Sequence, residues 1–102
     1  TDHEVMPEFP GGEDAMLAFI AQNLKYPKEA MNKNLEGKVV VNFQIKSDGK
    51  IDNVKVRESK HESLDNEAIR VIKAMPLWKP GLQDGTTVEV NYSLPIMFQL
   101  YD

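Results

Sequence analysis

The sequence predicts an α+β fold: a three-stranded antiparallel sheet, strand order 51–57, 38–46, 86–100, with helices on one face. Three observations predict it. Residues 38–46 and 51–57 are alternating runs on either side of Asp48-Gly49, the pattern of a β-hairpin. Leu64, Ala68, Val71, Ile72 and Met75 recur at helical spacing. Residues 86–100 alternate strictly, with Val88, Val90, Tyr92, Leu94, Ile96, Phe98 and Leu100 on one side.

Taken in order, the chain opens on a polar stretch that becomes Pro/Gly-bearing, Met6-Pro7-Glu8-Phe9-Pro10-Gly11-Gly12. Residues 1–12 read as a linker end that docks late, through Phe9. Residues 13–102 read as the folded domain. From Glu13 to Leu24 the apolar residues Met16, Leu17, Ile20 and Leu24 recur at helical spacing. Glu13 and Asp14 sit in the first turn, where the helix dipole favours acids. Tyr26-Pro27 stops this helix, because the residue before proline resists the α region. Pro27 then opens a short second helix over 27–33 as its first residue, with Ala30 and Met31 inward.

The hairpin register follows from the burial pattern. Val39, Val41, Phe43 and Ile45 are odd-numbered, whereas Val54 and Val56 are even. Facing residues of a hairpin share a side, so paired numbers must sum to an odd value. A two-residue Asp48-Gly49 turn satisfies this by pairing Lys46 with Ile51, Phe43 with Val54 and Val41 with Val56. The opposite face is polar, so only one face needs cover. Residues 58–62 are charged, and Ser63 is the expected N-cap of the next helix. Pro76 ends that helix. Leu77-Trp78-Lys79-Pro80-Gly81 follows as an extended connection, and Gln83-Asp84-Gly85 turns the chain. Pro95 lies inside the last strand. It has no donor for a ladder, so this strand belongs at an edge with Pro95 facing outward, or bulges there.

A chain of 102 residues suits one domain that buries roughly 60–70% of its unfolded surface. The net charge of −4 comes without a basic stripe, which argues against nucleic acid as a partner. There is no cysteine, so disulfides and thiolate metal sites are excluded. No apolar run approaches the ~18 residues of a membrane span, and no signal peptide is visible. The start at Thr1 reads as an excised domain.

Catalysis needs converging groups, and the sequence shows none. His3 and His61 have no second ligand at helical or hairpin spacing, so neither a metal nor another cofactor is expected. No serine sits in a nucleophile-elbow motif, and Gly11-Gly12 is too short for a phosphate loop. A small hydrolase is disfavoured for these reasons. Trp78 reads as a lid on the core rather than a binding aromatic, because its ring has so much area to bury. The last strand admits two readings. It is an edge blunted by Pro95 and Glu89, or an edge that accepts a partner strand. If it accepts one, Pro95 fixes which backbone groups face outward. These are the odd-numbered residues Thr87, Glu89, Asn91 and Ser93.

An ordered set of residues carries a family resemblance. It runs through Tyr26-Pro27, Ala30, Gly37, the strand residues Val39, Val41, Phe43 and Ile45, and Gly49-Lys50-Ile51. It continues through Val54 and Val56, Leu64-Asp65, Ala68, Trp78-Lys79-Pro80-Gly81, Gly85, Pro95 and Phe98. In this order they resemble the C-terminal domain of the TonB energy transducers of Gram-negative bacteria. The resemblance covers about Tyr26 to Leu100 and rests on the set, not on any single motif. It implies a periplasmic domain of an inner-membrane-anchored protein that couples to ExbB–ExbD through its N-terminal part. It implies capture of the TonB box of an outer-membrane TonB-dependent transporter by strand addition, passing proton-motive energy for siderophore or other nutrient uptake. It also implies receptor contact just before Tyr-Pro, here Asn23, Leu24 and Lys25. The alternative is a TonB-like interaction domain fused to a membrane sensor or protease. A homodimer through the same edge would compete with the ligand.

Overall fold

The computed structural model describes residues 4–100. Its elements in chain order are β1 (Glu4–Val5), α1 (Glu13–Asn23), α2 (Lys28–Asn32), β2 (Gly37–Ile45), β3 (Ile51–Glu58), α3 (Glu62–Lys73), β4 (Gly81–Gln83), β5 (Thr86–Val88) and β6 (Val90–Phe98). The main sheet has the expected order, β3-β2-β6, and is antiparallel throughout. Its core side is set by β2, where Val39, Val41, Phe43 and Ile45 are all buried. Leu94, Ile96 and Phe98 of β6 join them, and α3 lays Leu64, Ala68, Val71 and Ile72 over this side. The helix stripe and the strand alternation therefore meet as their periods require.

The hairpin departs from its expected register in an instructive way. Its turn holds three residues, not two. Lys46 N–H donates to the Lys50 carbonyl and Gly49 N–H to the Lys46 carbonyl, at 2.8 Å each. Gly49 takes φ 88°, the left-handed position that ends such a turn. Ile45 thus faces Ile51, an even sum, which alone would turn Val54 and Val56 to water. A bulge corrects this. Asn53 adopts φ 50°, the register shifts by one, and Val41 faces Val56 as expected. This explains why Ile51, Val54 and Val56 all pack against the core despite mixed parity. A second shift follows before Glu58, which faces Val40.

The stretch 86–100 also differs from a single strand in one sheet. It divides at Glu89, and β5 belongs to a second small sheet, β1-β4-β5. Asp84 and Gly85 have positive φ and join β4 to β5 as a tight hairpin. Regular strand ends at Phe98, and the Leu100 N–H donates instead to the Glu36 carboxylate at 2.6 Å. Tyr101 and His3 lie outside the described residues.

The segment read as a linker end carries β1, which pairs with β4. Phe9 is 6% exposed, in keeping with docking through that ring. Leu17 and Met31 are exposed rather than inward, at 54% and 47%. Pro27 is the N-cap of α2 rather than its first residue, so the helix starts one residue later than expected. His61, not Ser63, caps α3: its ring accepts the Ser63 N–H at 3.2 Å. Asp65 reaches back to the Ser59 hydroxyl and the Lys60 N–H, which fixes the earlier start.

Trp78 is 4% exposed and ties the pieces together. Its ring meets Phe9, Phe43 and Tyr92 in edge-type contacts with centroids 5.8, 5.8 and 5.2 Å away. Its backbone N–H donates to the Gly49 carbonyl at 2.9 Å. A Cβ at position 49 would lie 2.1 Å from the Trp78 carbonyl oxygen, so only glycine fits there.

Candidate functional site

The candidate site is the outer edge of the stretch 86–98. Its geometry begins with β2. That strand pairs along its whole length with β6 in one unbroken register, from Gly37 facing Phe98 to Ile45 facing Val90. No bulge interrupts β6. Where β2 stops, β4 takes over in the same direction, with Gly81 facing Val88 and Gln83 facing Thr86. Burial alternates without a break across Glu89: Val88 half-buried, Glu89 exposed, Val90 half-buried, Asn91 exposed. One side of this stretch is therefore covered in succession by β2 and β4. At ~3.3 Å per residue it runs roughly 40 Å, most of the molecule's 52 Å length.

The opposite side pairs with no strand among the described residues. Val40 faces Pro95, which has no N–H to give. In an antiparallel ladder bonded and non-bonded pairs alternate, so Pro95 marks the non-bonded set. Asn91 and Ser93 share its side. On β5 the two-residue turn makes Gln83–Thr86 the bonded pair, which leaves Thr87 in the non-bonded set. The expected residues are brought into one line, except that Thr87 belongs to the small sheet and Glu89 to the junction.

The other edge, β3, is different. It carries two register shifts and a left-handed Asn53. Bulges twist an edge away from pairing. The sheet thus has one straight edge and one blunted edge.

Side chains of the outward set lie exposed on the wet face of the sheet, and two of them are engaged there. Glu89 accepts from Lys46 Nζ at 2.6 Å, and this bond holds the Lys46 ammonium above its ordinary range. The Ser93 hydroxyl donates to the Asn42 side-chain oxygen. These contacts leave the backbone of β6 untouched.

Asn23, Leu24 and Lys25 lie at the end of α1, pinned by α3. The Arg70 guanidinium donates to the Asn23 carbonyl at 2.6 Å, and Lys25 N–H donates to Glu67 at 2.6 Å. Arg70 also grips Glu67 through two bonds of 2.8 and 2.7 Å. Burial pushes the Glu67 carboxyl up, but Arg70 and the Lys25 N–H outweigh it and hold it below the ordinary carboxylate range. The Leu24 N–H is taken by Ile20. The Asn23 carbonyl and the Leu24 and Lys25 amides are thus already bonded, so a partner would meet mainly side chains there.

A cleft of about 520 Å³ opens beside this staple, lined by Lys25, Tyr26, Glu29, His61, Asn66 and Arg70 among others, and shares no residue with β6. Among the described residues no group of three potential metal ligands converges. No described helix is long and apolar enough to cross a membrane.

Comparisons with known proteins bear on the family and the fold. The model of the family described as Gram-negative bacterial TonB protein C-terminal matches residues 22–100. Protein TonB of Pseudomonas aeruginosa is 35% identical over 75 residues, which is 74% of this chain and 22% of that protein. Protein TonB of Helicobacter pylori is 30% identical over 82 residues, 79% of this chain and 27% of that protein. The chain spans about a quarter of the length of these curated relatives. Among solved structures, the solution structure of the H. pylori TonB C-terminal domain superposes with a TM-score of 0.66 at 27% identity, covering 91% of this chain and 88% of that one. The P. aeruginosa TonB C-terminal domain gives 0.55 at 30% identity, covering 76% and 79%.

Proposed function

The chain belongs to the TonB C-terminal domain family, and from that premise we propose that it captures the TonB box of an outer-membrane TonB-dependent transporter by strand addition along residues 86–93. It does so as the periplasmic domain of an inner-membrane-anchored transducer, which couples through its N-terminal part to ExbB–ExbD and passes proton-motive energy to uptake. One observation carries the reading. The β6 edge keeps an unbroken register over its whole length, whereas the β3 edge is bulged twice. An incoming strand needs a straight row of free donors and acceptors, and only one edge of the main sheet offers it.

Thr87, Glu89, Asn91 and Ser93 supply that row from backbone groups. Each main-chain bond is worth ~0.5–1.5 kcal/mol net, offset in part by ordering the peptide. Binding is therefore weak and reversible at rest. Pulled along the strand, the bonds load together and resist shear. Pro95 ends the row by withholding a donor. Asn23, Leu24 and Lys25 add a receptor contact through side chains. No catalytic step enters this function.

The test is a titration of the domain with TonB-box peptides while backbone amide shifts are mapped. Saturable shifts concentrated on 86–93 support the proposal. Shifts confined to β3, or to the cleft beside Arg70, overturn it.

A further inference from the structure

The Met6–Gly12 motif plays no part in the function above, yet the structure gives it a specific place. The family model begins at residue 22, so β1 and most of α1 lie outside the matched region. Within this extension, residues 4–9 run as an extended arm along β4. Glu4 faces Gln83 and Val5 faces Leu82. Glu8 and Lys79 exchange two backbone bonds, Glu8 N–H to Lys79 O at 3.0 Å and Lys79 N–H to Glu8 O at 2.8 Å. The arm is a strand added to β4 by the chain itself, on the side of β4 away from β5.

Its hold is uneven. Glu4, Val5 and Met6 are exposed, and regular pairing covers only two residues. Two buried residues anchor it: Pro7, and Phe9, whose ring sits edge-on to Trp78 at 5.8 Å and against Phe19 at 5.7 Å. Two left-handed glycines, Gly11 and Gly12 at φ 88° and 89°, join the arm to α1. A short ladder with an exposed end, two buried residues and a glycine joint opens more easily than the core beneath it. The backbone bond next in the chain is held differently. Trp78 N–H is fixed by Gly49 of the hairpin, not by the arm.

We propose that residues 4–9 form a self-paired latch: they occupy a second strand-accepting edge, on β4, and open as a unit of their own while the β2-centred core stays folded. Release frees the backbone of Gly81–Gln83 and one face of Trp78. Release hands Glu4–Phe9, roughly 20 Å of chain at ~3.3–3.6 Å per residue, to the tether. On the function proposed above, load reaches the domain through this arm, so the latch yields before the core; that part rests on that reading.

The decisive comparison is native-state amide exchange in the unaltered chain. Glu8 and Lys79 should exchange at least about 100-fold faster than the adjacent Trp78 amide and the Val41 and Phe43 amides. Phe9→Ala should speed Glu8 and Lys79 further and leave Val41 and Phe43 relatively slow. A Val5→Cys/Leu82→Cys pair, oxidised in this cysteine-free chain, spans facing residues at disulfide distance and should slow both arm amides. Under tension applied from the two ends, an early, small step should precede unfolding and vanish in the oxidised pair. Exchange of Glu8 and Lys79 at the core rate, or no slowing on oxidation, overturns the latch. Extension without an early step overturns its release by load. No peptide is used, so failure here is separable from failure of strand capture.

Discussion

Replacing Trp78 with alanine removes the part that joins the arm, the hairpin turn and the sheet. A buried tryptophan hides roughly 150–250 Å², and at ~25 cal/mol per Å² this transfer amounts to about 4–6 kcal/mol. Large-to-small aromatic substitutions in cores cost ~3–5 kcal/mol. One term works the other way. The indole N–H is buried without a hydrogen-bond partner among the described residues, and its removal returns about 1 kcal/mol. The expected loss for Trp78→Ala is therefore about 3–4 kcal/mol, a large share of the ~5–15 kcal/mol typical of a domain. Trp78→Phe keeps an aromatic ring, loses some volume and drops the orphaned donor, so its loss should stay within ~1.5 kcal/mol. Urea melts followed by far-UV circular dichroism give both numbers, which matters because Trp78 is the only tryptophan. A loss below about 1 kcal/mol for Trp78→Ala would refute the account of Trp78 as the closing piece of the core. A loss for Trp78→Phe well above ~1.5 kcal/mol would refute the role assigned to the N–H.

Gly49→Ala should destabilise by at least ~2 kcal/mol in the same melts, because it adds positive-φ strain to a Cβ 2.1 Å from the Trp78 carbonyl oxygen. Asn53→Val should cost ~1–2 kcal/mol and Asn53→Gly less than ~0.5 kcal/mol, since φ 50° suits glycine and excludes a β-branched residue. Glu67 has a folded pKa below its unfolded value near 4.5, so its stabilisation is present above that value and is lost as pH falls through the lowered one. Urea midpoints taken between pH 6 and pH 3 should therefore fall more steeply for the natural protein than for Glu67→Gln.

How much of this was legible in the sequence differs by element. The β2 and β6 alternation and the α3 stripe each bury one clean face, so pattern alone placed Val41, Phe43, Ile96 and Val71. The burial of Trp78 followed from its size. The hairpin register was only half legible. Asp48-Gly49 suits a two-residue turn, but it equally suits a three-residue turn with Gly49 in the left-handed place. The mixed parity of Ile51 with Val54 and Val56 was the signal of the Asn53 bulge. β4 left no trace, because Gly81–Gln83 is too short to show a period. Its existence decides that 86–88 joins a second sheet. In α1, residues 15–20 are all apolar, so spacing cannot tell the buried Met16 from the exposed Leu17. At the candidate site, Pro95 identified the edge and its outward parity. The split at Glu89 and the pinning of 23–25 by Arg70 and Glu67 are long-range contacts that no local pattern encodes.

The central claim is that a partner strand pairs with the odd-numbered backbone groups of 86–93. Amide exchange with and without TonB-box peptide tests it most directly. Val88, Val90 and Tyr92 should be slow in the free domain, because β4 and β2 already hold them. Glu89, Asn91 and Ser93 should be fast when free and become protected on addition of peptide. Protection of the even set, or protection confined to β3, would contradict the account.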